Sequence, residues 1–119
     1  MKKYLVTIAT VMLIAACGGG TPKQAPGTVV LSPDEAKGKE LIAKSDCRTC
    51  HKDDSKLTGP AYDSVAVKYA GDANAVSNLA DKVMKGGTGV WGQIPMTSHP
   101  AIEKADAELM VKYILSLKK

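Results

Sequence analysis

Cys47-Arg48-Thr49-Cys50-His51 is the feature that most narrows what this chain can fold into. Two thiols spaced by two residues, with an imidazole directly after the second, gather three reactive donor groups on one turn. The rest of the chain shows why such a cluster matters. With 119 residues there is room for one domain. Four Tyr, one Trp and no Phe leave it short of the side chains that supply most of a small core. A domain this poor in core material needs a staple. Three Cys cannot all pair with one another, so a disulfide framework does not supply it.

Three chemistries use a Cys-X-X-Cys spacing. A redox dithiol of thioredoxin type sits beside a βαβ pattern, and no stretch here alternates like a strand. Structural zinc wants four ligands, usually from a second Cys pair, and none remains. Attachment of a c-type haem fits both the pair and the following His: Cys47 and Cys50 become thioethers and His51 binds iron. The second axial ligand is sought among Met84, Met96, Met110 and His99. Met84 and Met110 occupy helix-interior positions beside apolar neighbours, which reads as packing. Met96 follows Ile94-Pro95 on a loop between two helices, where Pro95 stiffens the approach. Met96 is therefore the expected ligand, with His99 the alternative; the plainer reading of His99 is an exposed loop imidazole.

Helical signals fill the chain from Ser32 onward. Ser32-Pro33-Asp34-Glu35 combines a cap, a first-turn Pro and an acid three residues after the cap, which predicts a helix to about Lys44. Gly38 within it implies close approach of another backbone. Further helices are predicted over about Pro60 to Tyr69, about Ala73 to Lys85 ending at Gly86-Gly87, and about Ala105 to Leu117. The domain is expected to be all-α.

The first sixteen residues read as an address. Lys2 and Lys3 precede an uncharged stretch from Leu5 to Ala16, too short for a membrane span and ending in small residues, as in a secretory signal peptide. Ile14-Ala15-Ala16-Cys17 resembles the bacterial lipobox, which implies cleavage before Cys17 and lipidation of its thiol, enough acyl chains for a stable anchor. Residues 17–31 then form a Gly- and Pro-rich tether, and 32–119 the domain.

The Cys47–His51 motif, Leu57-Thr58-Gly59-Pro60-Ala61-Tyr62, Gly86-Gly87-Thr88-Gly89-Val90-Trp91-Gly92 and Ile94-Pro95-Met96 occur in order, and together resemble the short monohaem class I cytochromes c of bacteria, which donate electrons to oxidases and nitrite reductases. The resemblance spans Ser32 to Lys119. It implies the cytochrome c fold, four short helices around one haem c held by Cys47 and Cys50, with His51 and Met96 as axial ligands. It also implies that the Pro60 carbonyl accepts from the His51 ring, that Trp91 reaches a haem propionate, and that Gly38 sits where the first and last helices cross, facing Tyr113. Trp91 is otherwise plain core filler. The chain departs from that group at Gln93, and at Thr97-Ser98-His99-Pro100 where Pro-Pro-Asn is common, so His99 either replaces the Asn hold on the Met sulfur or competes for iron.

The expected function is electron transfer by an exported, monomeric, membrane-anchored carrier on the periplasmic side, without catalysis. Its partners would be redox-protein donors and acceptors docking transiently at the haem edge. Two rivals remain at this point: a ligand-binding or sensor haem with an open sixth site, and the haem subunit of an oxidase or peroxidase. Nucleic acid is excluded by charge. The formal +4 includes Lys2, Lys3 and Lys23; the remaining thirteen basic residues face twelve acidic ones, all within the domain.

Overall fold

The computed structural model describes residues 30–119. The signal peptide, Cys17 and most of the tether lie outside the described residues. Leu31, assigned to the tether, packs against the core, so ordered packing begins just before Ser32.

Helix α1 spans Pro33–Lys44, and its start is set locally. The Ser32 hydroxyl accepts from the Glu35 backbone N–H while the Ser32 N–H donates to the Glu35 carboxylate, a complete capping box. A short 3₁₀ turn, Asp46–Thr49, follows. Helix α2 is Tyr62–Lys68, α3 is Ala75–Lys85 and α4 is Lys104–Ser116. Between α3 and α4 the chain forms a two-stranded antiparallel hairpin, β1 Gly87–Gly89 and β2 Gly92–Met96, pairing Gly87 with Met96 and Gly89 with Gly92. This corrects the expectation of a domain without strands. The hairpin is glycine-rich, carries Pro95 and is exposed along most of its length, so no inward/outward alternation was there to find.

Helix α4 is the hub, packing against α1, α2 and α3. A Cβ at Gly38 would overlap the Leu109 carbonyl, so α1 and α4 cross backbone to backbone, as the resemblance implied. One core cluster joins Ile42 of α1, Tyr62 and Val65 of α2, and Met110, Tyr113 and Ile114 of α4. A second joins Ala80 of α3 to Ala107 and Val111 of α4, with Met84 packed at its edge. Met84 and Met110 thus both contribute to packing. At the surface, Lys104 reaches Asp81 of α3, and Lys112 sits 2.6 Å from Asp34 of α1. The core is thin in aromatics, and its gap is the cavity described next.

Candidate functional site

The Cys47–His51 segment is a tight turn fixed by its own backbone. The N–H groups of Cys50 and His51 both donate to the Cys47 carbonyl, at 3.2 and 3.0 Å. Gly59 then donates to the Cys50 carbonyl at 2.8 Å, and Tyr62 and Asp63 donate to Lys52 and Asp53 at 2.9 Å each, folding the following loop back onto the turn. Cys47 is half-buried against the first core cluster, whereas Cys50 is exposed. Burial, followed by the nearby Asp46 charge, pushes the Cys47 thiol up from its ordinary value.

The His51 ring is held on three sides. Its Nδ1 lies 2.8 Å from the Pro60 carbonyl, which can only accept, so Nδ1 carries the hydrogen and Nε2 the lone pair. The ring stacks on Tyr62, with centroids 5.2 Å apart and planes 16° from parallel. Gly59 closes the third side: a Cβ there would overlap Cε1 and lie 2.8 Å from both ring nitrogens. From the sequence alone Gly59 is only one member of the Leu57–Tyr62 motif. Below the turn, Arg48 Nη1 sits 3.0 Å from Asp53 Oδ1, whose other oxygen accepts from Tyr113 at 3.4 Å. This ties the turn to α4.

The opposite approach to the cavity comes from the hairpin. Gly86 ends α3 with φ +67°, a left-handed conformation suited to glycine, and a Cβ there would overlap the Met96 carbonyl and lie 2.7 Å from the Ser98 nitrogen. Lys82 of α3 donates to the Thr88 carbonyl at 2.8 Å, fastening β1. Met96 ends β2, half-buried, rather than lying on the irregular loop expected for it. Trp91 occupies the tip of the hairpin and lines the cavity described below. The Lys68 ammonium stands 5.5 Å from its ring centroid, a cation–π contact that the sequence did not disclose. His99, read as an exposed imidazole, is instead 18% exposed, with both ring nitrogens near oxygen atoms.

These elements enclose a cavity of about 550 Å³, within the range of ligand sites. Cys47, Cys50, His51, Pro60, Trp91, Met96 and His99 all line it, and Ile42, Val65, Met110 and Ile114 give it an apolar floor. A covalently attached haem fits this site: two thiols and an imidazole on one turn, a thioether elsewhere in the lining, and a largely apolar surface around them. Structural zinc does not, because among the described residues no three His, Cys, Asp or Glu side chains are arranged to hold one metal ion.

Comparison with known proteins agrees with this chemistry. The Cytochrome c family model matches residues 35–118. Cytochrome c-551 of Allochromatium vinosum is 42% identical over 89 residues, covering 75% of this chain and 95% of that protein. Cytochrome c-551 of Azotobacter vinelandii is 43% identical over 81 residues, covering 68% and 98%. Among solved structures, wild-type cytochrome c552 of Nitrosomonas europaea superposes with a TM-score of 0.64 at 41% identity, covering 67% of this chain and 99% of that one. The chain therefore belongs to the cytochrome c family, as a small class I monohaem member that carries one covalently attached haem c and transfers electrons to partner proteins rather than acting as an enzyme.

Proposed function

We propose that this chain is a membrane-anchored electron carrier whose iron is ligated by His51 and Met96, with Cys47 and Cys50 as the thioether links. The observation that carries this reading is the His51 ring. Its Nδ1–H is committed to Pro60, which leaves Nε2 of the neutral ring available to iron in a cavity that Met96 also lines. Bound haem c supplies a one-electron Fe(II)/Fe(III) couple. The protein's own part is to hold two ligands and exclude a third. Pro60, Tyr62 and Gly59 fix the imidazole, while Gly86 and Lys82 fix the hairpin that delivers the thioether. With both axial positions taken, no site remains for substrate or oxygen, which separates a carrier from a sensor or an oxidase subunit. A Met ligand and an apolar floor favour the less charged ferrous state and raise the potential. The indole N–H of Trp91, which also lines the cavity, would donate to a haem propionate.

Redox partners would dock transiently at the haem edge, as suits a monomeric carrier. For localisation, the basic and apolar leader and the lipobox-like Ile14–Cys17 support export to the periplasmic side with anchoring through Cys17. Among the described residues no helix is long and apolar enough to cross a membrane. Carbon monoxide tests the ligand set: the ferrous native protein should not bind it, and Met96→Ala should. Ready binding by the native protein would favour the sensor reading. Mass spectrometry of the mature N-terminus tests the anchor, and an unmodified Cys17 rejects it.

A further inference from the structure

We propose that His99 is a positioning residue that clamps the Met96 segment to the haem-attachment turn; this rests on the reading of Met96 and His51 as axial ligands. His99 lies three residues beyond Met96, and its contacts reach two other parts of the fold. Its backbone N–H is shared between the carbonyls of Val83 and Met84 in the last turns of α3, at 3.2 and 3.1 Å. Its ring Nδ1 is 3.3 Å from the same Val83 carbonyl. Its Nε2 is 3.0 Å from Oδ1 of Asp46, which immediately precedes Cys47 and is 53 residues away in sequence. One side chain thus bridges the end of α3, the chain that follows β2, and the start of the Cys47–His51 turn.

Two further observations support the clamp. Gly86 lets the chain at Thr97 and Ser98 lie against the end of α3, where any Cβ would collide with it, and this brings the next residue within reach of Val83. The His99 side chain is only 18% exposed although it belongs to a connecting loop, so it is held rather than free in solvent. Each ring nitrogen faces an oxygen acceptor; the neutral imidazole donates to one of them and the cation to both, so in either form the ring is engaged away from iron while the clamp is closed. His99 therefore neither competes for the metal nor fills core. It restrains the strand that presents Met96, and opening it should ease replacement of the thioether by an outside ligand.

Imidazole added to the ferric, haem-loaded protein is the probe, with its apparent affinity measured for the native chain and for His99→Ala, Asp46→Ala, the double variant and Asp46→Asn. Asp46 is 70% exposed, so removing its carboxylate leaves the core intact. Each Ala variant should raise imidazole affinity by about three- to tenfold, in keeping with one partly exposed charge-assisted contact. The double variant should rise no further than the larger single, since both remove one interaction. Asp46→Asn, which still accepts a hydrogen bond, should fall between. An unchanged affinity in both single variants, or effects that add in the double, overturns the clamp. If Met96→Ala also leaves imidazole affinity unchanged, the axial reading fails and takes the clamp with it; if Met96→Ala raises it while His99→Ala does not, only the clamp is lost.

Discussion

The segment from Cys47 to Tyr62 and the segment from Gly87 to His99 line one cavity but are held by different means. The first is bound up in local backbone hydrogen bonds, stacks its imidazole on Tyr62, and is tied to α4 through Arg48, Asp53 and Tyr113. The second is a short, exposed hairpin fastened at a few points: Lys82 to Thr88, Gly86 against Met96, and His99 to Val83 and Asp46. The difference teaches where this carrier is stiff and where it yields. In the proposed ligation His51, gripped on three sides, should stay on the iron under stress, whereas Met96 on its hairpin would depend on a few latches. Exchange at iron should therefore begin on the Met96 side.

Removing the haem should break this comparison most severely. Cys47→Ala together with Cys50→Ala abolishes covalent attachment, and the largely apolar cavity then lacks the group that fills it. Hydrogen exchange should show α1 and α4, which cross at Gly38, retaining some protection while the hairpin loses all of it. Uniform protection in both segments would contradict the asymmetry.

Two glycine substitutions probe the segments separately. Gly59→Ala forces a methyl into the His51 ring and should cost about 1–3 kcal/mol in denaturant unfolding. Gly86→Ala places a side chain at φ +67° against the Met96 carbonyl and should cost a similar amount, about 1–3 kcal/mol. Their spectra should differ: Gly86→Ala loosens the Met ligand in otherwise folded protein, and Gly59→Ala does not.

Alkaline pH sharpens the contrast further. Burial holds the Tyr62 phenol well above its ordinary value. Above about pH 10 the unfolded chain releases that proton while the folded chain keeps it, so stability falls as pH rises, by about 1.4 kcal/mol per unit. Burial raises Tyr113 in the same direction. Tyr62→Phe should remove its share of this slope in melts between pH 10 and 11, and an unchanged slope would contradict it. The smallest effect is expected at the hairpin tip, where Lys68→Ala removes the contact with Trp91 and should cost about 0.5–1 kcal/mol.

What was legible in the sequence follows the range of the interaction. The capping box and bounds of α1 rest on contacts within four residues, and the structure has them where the residues suggested. Gly38 could be read because a glycine inside a helix needs a reason, and the α4 backbone supplies it. The haem-binding turn could be read because its three donors fall within five residues. The hairpin could not, since its geometry comes from glycines with positive φ rather than from alternating side chains. Nor could the surroundings of His99, because Asp46 and Val83 reach it only through the tertiary fold. Gly59 was hidden for the same reason: a missing Cβ signals nothing until the His51 ring is seen against it.

The central claim is that Met96 completes the coordination begun by His51. The near-infrared spectrum of the ferric protein tests it most directly, through the charge-transfer band of a Met–Fe bond. The band should be present in the native chain, lost in Met96→Ala and retained in His99→Ala. A native protein without the band, or a Met96→Ala variant that keeps it, would contradict the account.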